Sequence, residues 1–132
     1  MKVKLSTVVE GLEMVSDMTQ VYYNPETGKV DFVLDPLIGG YDEDETIPDG
    51  ALFLPSSFEI NEYSIMEDFV YSLKDQDMRQ EFLWAINGRG AFRNFKHHIH
   101  RYNIQNDWYD FKHEAYTKIA KEWCDWKNLE YE

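Results

Sequence analysis

Residues 20–35 read QVYYNPETGKVDFVLD, and this stretch decides the β part of the fold. Two runs rich in β-branched and aromatic residues flank NPETG at 24–28, a turn signal with a proline and with a glycine suited to positive φ. In the second run, Val30, Phe32 and Leu34 occupy every second position, a period of two that turns one face of the strand inward. The stretch therefore predicts a β-hairpin.

The hairpin needs further elements, because an isolated hairpin is only marginally stable in water. ALFL at residues 51–54, ended by Pro55, is the predicted third strand. Upstream, TVVE at residues 7–10 matches a capping box, and apolar residues follow it at helical spacing. This pattern predicts a helix over residues 7–17, although Gly11 within it costs about 1 kcal/mol relative to alanine.

From residue 60 onward, apolar residues recur every three or four positions, and short links interrupt them. Asp75 is placed to cap the second of these helices, and Asn87-Gly88 to end it as a left-handed C-cap. The four apolar stripes comprise Ile65, Met66, Phe69, Val70 and Leu73; Met78, Phe82, Leu83 and Ile86; Phe92, Phe95, Ile99 and Tyr102; and Trp108, Phe111, Ala115, Ile119 and Trp123. Four helices in so short a stretch predict a compact bundle.

Together these patterns predict an α+β fold. An N-terminal helix and a small antiparallel sheet, the hairpin plus the third strand, are expected to pack on a C-terminal bundle of about four helices. Neither half looks large enough for a robust core alone. Residues 1–132 are therefore predicted to form a single α+β domain, with the helix and hairpin over 1–55 and the helical part over 56–132.

Composition narrows the class of protein. Cys124 is the single cysteine, which excludes an internal disulfide or a cysteine-based zinc site and fits a reducing cytoplasm. No apolar run resembles a secretory signal or approaches the ~20 residues of a membrane span. We therefore expect a cytoplasmic protein without a membrane partner, and the residues indicate no cofactor.

The formal charge of −12 is unevenly distributed. Residues 1–66 hold three Lys/Arg and 13 Asp/Glu, a net charge of −10, and residues 67–132 hold ten and 12, a net charge of −2. Such an acidic chain repels nucleic acid and anionic membranes, so a nucleic-acid partner is not expected. Part of the charge lies in the predicted loop 36–50. Numbered from Asp42, this loop has Ile47 where a calcium loop needs glycine, so the options are a solvated loop or weak cation binding.

One segment has the opposite charge. Residues 88–101 read GRGAFRNFKHHIHR and hold four Lys/Arg and three of the four histidines, with no Asp or Glu. On a helix that starts near residue 91, the third apolar stripe faces the core and the cations fall on the remaining faces. The candidate anion- or partner-binding residues are Arg89, Gly90, Arg93, Lys96, His97 and His100.

Two interpretations of this segment are open. Glycines allow backbone amides to approach a ligand, and a helix N-terminus with Arg89 and Arg93 one turn apart suits a phosphate or a carboxylate. Alternatively, the cations pair internally with the acids of the next helix, and the glycines only shape a tight helix corner. Those acids are Asp107, Asp110 and Glu114.

Three hypotheses of function follow. The leading one is a non-enzymatic binding or adaptor domain that contacts a small anion or a protein partner through residues 89–101. The second is an enzyme for a small phosphorylated or carboxylated ligand, with His97 or His100 as acid/base. The third is an acidic interaction protein, or a nucleic-acid mimic, that presents loop 42–49. HExxH is absent and no metal site is predicted. No catalytic residue is assigned, and Cys124 is expected to be a buried thiol.

Longer stretches resemble a known family. These are EINEYSIMEDFVYSL at 59–73 and, within 82–124, the GRGAFRNFK core, the DWYDFK segment and the AKEWC ending. They resemble the bacterial group known as uncharacterised protein family 0158, closely over residues 50–130 and loosely before them. The resemblance implies no activity and no catalytic or metal residues. It does imply that residues 88–96 and 108–111 form one unit.

Overall fold

The computed structural model describes residues 2–34 and 47–132 of the chain. The strands are β1 (Lys2–Val3), β2 (Thr19–Asn24), β3 (Lys29–Leu34), β4 (Leu52–Phe53) and β5 (Glu130–Tyr131). The helices are α1 (Leu5–Glu13), α2 (Ser57–Ile60), α3 (Glu62–Ser72), α4 (Gln76–Ala85), α5 (Ala91–Arg101) and α6 (Gln105–Trp126). Within the described ranges, an N-terminal helix, a three-stranded antiparallel sheet and a C-terminal region of five helices confirm the predicted α+β fold.

The chain divides into two compact units. Unit 1 comprises the described residues of Met1–Ile60 together with Tyr116–Glu132, and unit 2 comprises Asn61–Ala115. The long helix α6 contributes residues to both. That residues 1–132 form a single domain stays a prediction. No helix in the described part of the chain is both long and apolar enough to cross a membrane.

The predicted hairpin is present in unit 1. Strand β2 pairs antiparallel with β3 from Thr19 opposite Leu34 to Asn24 opposite Lys29. In the turn, Gly28 has a φ of 69° and its N–H donates to the Asn24 carbonyl at 2.8 Å. The predicted third strand is shortened to β4, which pairs antiparallel with the other side of β2, so the strand order is β3-β2-β4.

Helix α1 lies close against this sheet at Gly11. A Cβ at Gly11 would lie 2.6 Å from Leu54 Cδ1 and 3.0 Å from Val30 Cγ1, so a side chain here would force these neighbours to shift. The predicted capping box is wrong, because the helix begins two residues earlier, with Lys4 as its N-cap and no side-chain cap. Its N-terminus is fixed instead by the β1–β5 pair, next to which the Leu5 N–H donates to the Glu132 carbonyl at 3.1 Å.

The inward face of β3 is only partly covered. Phe32 is 47% exposed and Leu34 is nearly as exposed, whereas Val30 is half-buried and Val33, on the opposite face, is buried. Strand β3 is an outer strand of the sheet, and the close contact of α1 reaches it at Val30. Period-two alternation therefore identified the strand but not which of its side chains are buried.

The strand pair β1–β5 was not predicted. Lys2 pairs in parallel with Glu130 and Val3 with Tyr131, and the Glu132 N–H donates to the Val3 carbonyl at 3.0 Å. Val3 is fully buried as a result. Strands of two residues are too short for periodicity to reveal them.

Unit 2 is built around an aromatic cluster. Its edge-to-face contacts include Phe95 with Trp108 at 4.8 Å between ring centroids, Phe69 with Phe111 at 5.3 Å, and Phe82 with Phe95 at 5.7 Å. Such pairs add about 0.5–1.5 kcal/mol each beyond the burial of their area. The two motif segments, residues 88–96 and 108–111, thus meet in this cluster.

The helix ends of unit 2 agree in part with those predicted from the sequence. Asp75 caps α4 as predicted, since its carboxylate accepts from the Met78 N–H at 3.1 Å. Helix α4 ends earlier than predicted, at Ala85, and Gly88 lies in the following turn with a φ of 96°. Phe92, predicted to face the core, is 43% exposed, because it lies in the first turn of α5 at the edge of the cluster, against Tyr63.

Candidate anion-binding site

Helix α5 separates its apolar and cationic side chains. Ala91, Phe95 and Ile99 are buried. At 100° per residue, the exposed side chains of Arg93, Lys96, His97 and His100 fall within about 100° of one another on the opposite side of the helix. The exposed Arg89 lies in the turn that precedes the helix. We call these five residues the cationic face.

The turn before α5 brings an arginine onto the backbone. Gly90 is the N-cap of α5 with a φ of 72°, and no side chain caps the helix. The Arg93 guanidinium folds back over this glycine, with Nη2 3.1 Å from the position that a Cβ would occupy. At Gly88, by contrast, nothing lies within 4 Å of the position that a Cβ would occupy. A Cβ at Gly90 would therefore require the Arg93 guanidinium to shift by a few tenths of an ångström.

The cations of this face have no acidic partners in the described structure. Within residues 2–34 and 47–132, no carboxylate oxygen lies within 4.0 Å of Arg89, Arg93 or Lys96, whereas Lys112 in the same unit pairs with Glu62 at 3.3 Å. The structure does not form the internal pairs with Asp107, Asp110 and Glu114. Arg101 instead lies over the ring of Tyr102, 5.9 Å from its centroid.

The three histidines of the segment differ in their contacts. The Gln105 amide Nε2 donates to His100 Nδ1 at 2.9 Å, which leaves Nε2 of His100 as the protonated nitrogen of the neutral ring. In His98 the direction is reversed, because Nδ1 donates to the Asn94 carbonyl at 2.8 Å and leaves Nε2 as an acceptor. His97 is exposed. Thus His100 can donate to an anion, and His98 can accept from a ligand.

A cleft of about 480 Å³ lies beside the cationic face, on the flank of α5 where His98 projects. Its walls are Trp84, Ala85, Asn87, Asn94 and His98. Asn94 Nδ2 donates to the Ala85 carbonyl at 3.3 Å, which holds the amide at the cleft wall. Trp84 is 85% exposed. Of these residues, none was a predicted site residue.

The sequence contained one signal for this cleft. Trp84 lies outside the apolar stripe of its own helix, and a tryptophan on a helix face that does not pack is a candidate contact residue. No sequence pattern indicated that Asn94 and His98 lie near Trp84, because Trp84 belongs to α4 and the other two residues belong to α5. Only the fold brings them together.

In the sequence, the site lies within a positively charged segment. Residues 82–106 contain four Lys/Arg and no Asp or Glu. Unit 2 as a whole holds seven Lys/Arg and nine Asp/Glu, a net charge of −2, and unit 1 accounts for the remaining −10. The acids of unit 2 therefore lie in sequence on either side of the site and not within it.

The described residues offer less support for the other kinds of site, a metal site or a reactive cysteine. No group of three or more His, Cys, Asp or Glu side chains there is arranged to hold a metal ion. Cys124 is fully buried in α6, and burial, with a smaller effect of Asp125, raises the pKa of its thiol. Most of the predicted acidic loop, including residues 42–46, lies outside the described residues.

The geometry defines an α+β protein with an exposed cationic helix face and an adjoining cleft. The family model described as Uncharacterised protein family (UPF0158) matches residues 13–132, and the chain belongs to this family. This confirms the family expected from the GRGAFRNFK, DWYDFK and AKEWC segments. The family has no known function. Neither the curated proteins nor the solved structures contain a match to the chain.

Proposed function

We propose that this chain is a non-enzymatic binding domain that recognises an anionic group, a phosphate or a carboxylate, through its cationic face. The observation that supports this most strongly is the absence of acidic partners for Arg89, Arg93 and Lys96 among the described residues. A chain with 25 Asp/Glu has many acids with which to neutralise a structural arginine. Exposed cations without such partners are instead available to an external anion.

The energetics favour a ligand that several cations contact at once. A single exposed ion pair contributes about 0.2–1 kcal/mol, because water screens it and side-chain entropy opposes it. A hydrogen bond to a charged group contributes about 1.5–3 kcal/mol. A phosphate or carboxylate between Arg89 and Arg93 would gain two charge-assisted contacts, and the planar guanidinium groups suit its geometry.

The acidic remainder of the chain shapes selectivity rather than preventing binding. At physiological ionic strength the Debye length is about 8 Å, so distant acids act weakly on an anion held at the cationic face. A long polyanion would extend beyond the face and meet that repulsion. The charge distribution therefore favours a compact anion over extended nucleic acid.

Binding is proposed rather than catalysis because the histidines of the cationic face lie outside the cleft. His97 and His100 are exposed and do not line it, so neither faces an enclosed pocket in which a substrate would react. We further place the protein in the cytoplasm, because its single, buried Cys124 suits a reducing compartment.

The proposal is tested by thermal unfolding of the full chain with and without phosphate, sulfate and citrate. An anion that binds the folded state raises the melting temperature by mass action. We expect a rise for the wild type and for Lys118→Gln/Lys121→Gln, which removes two exposed cations of α6, but not for Arg89→Gln/Arg93→Gln. Equal responses in all three proteins, or no response in any, would reject the cationic face as the site.

A further inference from the structure

We infer that the cleft beside α5 binds the base of a mononucleotide whose phosphate is held by the cationic face. This inference rests on the proposed function, and it assigns a ligand class to the same site. It combines three observations: an exposed indole, polar groups at the rim of a cleft, and an unpaired arginine in the turn between them. The cleft volume of about 480 Å³ lies in the range of small-molecule sites.

Trp84 supplies the stacking surface. It lies at the end of α4 with 85% of its side chain exposed, although it forms one wall of the cleft. An indole at a cleft wall presents a flat π-face to a planar ring. Stacking of a base on an aromatic side chain contributes about 1–3 kcal/mol and tolerates different bases.

The remaining walls suit the polar edge of a base. Asn94 uses one amide hydrogen for the Ala85 carbonyl, so its Oδ1 and its second N–H are available. His98 Nε2 is an acceptor in the tautomer set by the Asn94 carbonyl, and Asn87 adds a further amide. Donors and acceptors at one edge of a flat apolar surface match a nucleobase.

Arg89 links the cleft to the anion. It follows the cleft residue Asn87 by two positions, so their Cα atoms lie at most about 7 Å apart. The Arg89 side chain is exposed and has no ion pair with a described carboxylate. A ligand with its ring on Trp84 can therefore extend its phosphate toward this arginine.

A nucleotide fits these walls better than the alternatives. Three of the five lining residues, Asn87, Asn94 and His98, are polar, and a purely apolar side chain of a partner would leave their groups unpaired. A nucleic-acid strand would bring further phosphates against a chain of net charge −12. A mononucleotide has the ring and the anion without that excess charge.

The test is calorimetric titration of the full chain with AMP, GMP, CMP and UMP, and with ribose 5-phosphate and adenosine as the two halves of a nucleotide. At least one nucleotide should bind about tenfold or more tightly than ribose 5-phosphate, the equivalent of one stacked base. Trp84→Ala should remove that difference and leave ribose 5-phosphate binding unchanged. Trp126→Ala, which removes another highly exposed tryptophan, should change neither.

Three results would overturn the inference. If ribose 5-phosphate binds through Arg89 but no nucleotide binds more tightly, the cleft takes no base and the proposed anion site still stands. If the Trp84→Ala protein keeps the full preference for a nucleotide, the ring is held elsewhere. Binding of neither ribose 5-phosphate nor any nucleotide would reject this inference, and the anion series above would then decide the proposed function.

Discussion

The guanidinium of Arg93 lies against Gly90, with Nη2 3.1 Å from the place where a Cβ would be. Gly90 is the N-cap of α5 with a left-handed φ of 72°, so the residue that shapes the turn is also the one that the arginine contacts. The absence of a side chain at residue 90 thus has two effects: it relieves backbone strain, and it leaves room for a cation of the proposed site.

Gly90→Ala should weaken anion binding as well as the fold. A left-handed conformation costs a residue with a Cβ about 1–2 kcal/mol, and the new methyl would shift the Arg93 guanidinium by a few tenths of an ångström. Gly88→Ala is the control, because its φ is also positive while its Cβ would meet nothing within 4 Å. Both variants should unfold at lower urea concentration, but only Gly90→Ala should lose phosphate affinity. Equal affinity losses would contradict this effect of the contact between Gly90 and Arg93.

Gly11→Ala should destabilise unit 1 despite the better helix propensity of alanine. The gain of about 1 kcal/mol from propensity is opposed by a contact of 2.6 Å with Leu54 Cδ1 and of 3.0 Å with Val30 Cγ1. Overpacking costs about 1–3 kcal/mol, so we expect a net loss of about 1 kcal/mol in urea unfolding.

A double variant tests the cause of that loss. Leu54→Ala alone leaves a cavity, but in the Gly11→Ala protein it also removes the crowded methyl. The two changes should therefore destabilise by less than the sum of their separate effects, as expected for residues in contact. Additive losses would show that the methyl at residue 11 is not crowded by Leu54.

The sequence correctly predicted the features that depend only on neighbouring backbone groups, namely a turn and a helix cap. Pro25 and Gly28 defined the turn of the hairpin, and Asp75 was correctly placed as a cap, because each acts on neighbouring backbone groups. The capping box at residues 7–10 failed because the start of α1 is set by β5, more than a hundred positions away. No local pattern reports such a contact.

The candidate site, too, could be predicted from the sequence only where it depends on residues of one helix. The alternation of Phe95 and Ile99 with Arg93 and Lys96 follows from helical spacing, and the structure shows the two groups on opposite sides of α5. Whether those cations are paired internally depends on where the next helix lies, which spacing cannot give. The cleft is lined by Trp84 of α4 and His98 of α5, and only the fold shows that these two residues lie on the same cleft.

Removal of residues 130–132 should lower the stability of the fold. Residues 130–131 pair with β1, and Glu132 forms backbone hydrogen bonds with the fully buried Val3 and with Leu5. Exposure of one valine and loss of these bonds should reduce the free energy of unfolding by about 2 kcal/mol. Glu130→Gln/Glu132→Gln, which retains the backbone, is the control in urea unfolding and should behave as the wild type. Unchanged stability of the shortened chain would contradict the role of β5.

The Cys124 thiol should react slowly in the folded protein. It is fully buried, and burial raises its pKa above the ordinary value near 9, so little thiolate forms. On unfolding the thiol regains its ordinary pKa, so ionisation of the unfolded chain should lower stability as the pH rises above about 9. Reaction with DTNB should be slow in buffer and fast in urea. Rapid reaction of the folded chain would show that the thiol is accessible.

Anion binding by the cationic face is best measured by the amide chemical shifts of the isotope-labelled full chain during titration with orthophosphate. We predict saturable shifts that are largest for the backbone amides of residues 89–97 and that disappear in Arg89→Gln/Arg93→Gln. Shifts that fail to saturate, or that are largest at residues outside this stretch, would contradict anion binding by this face.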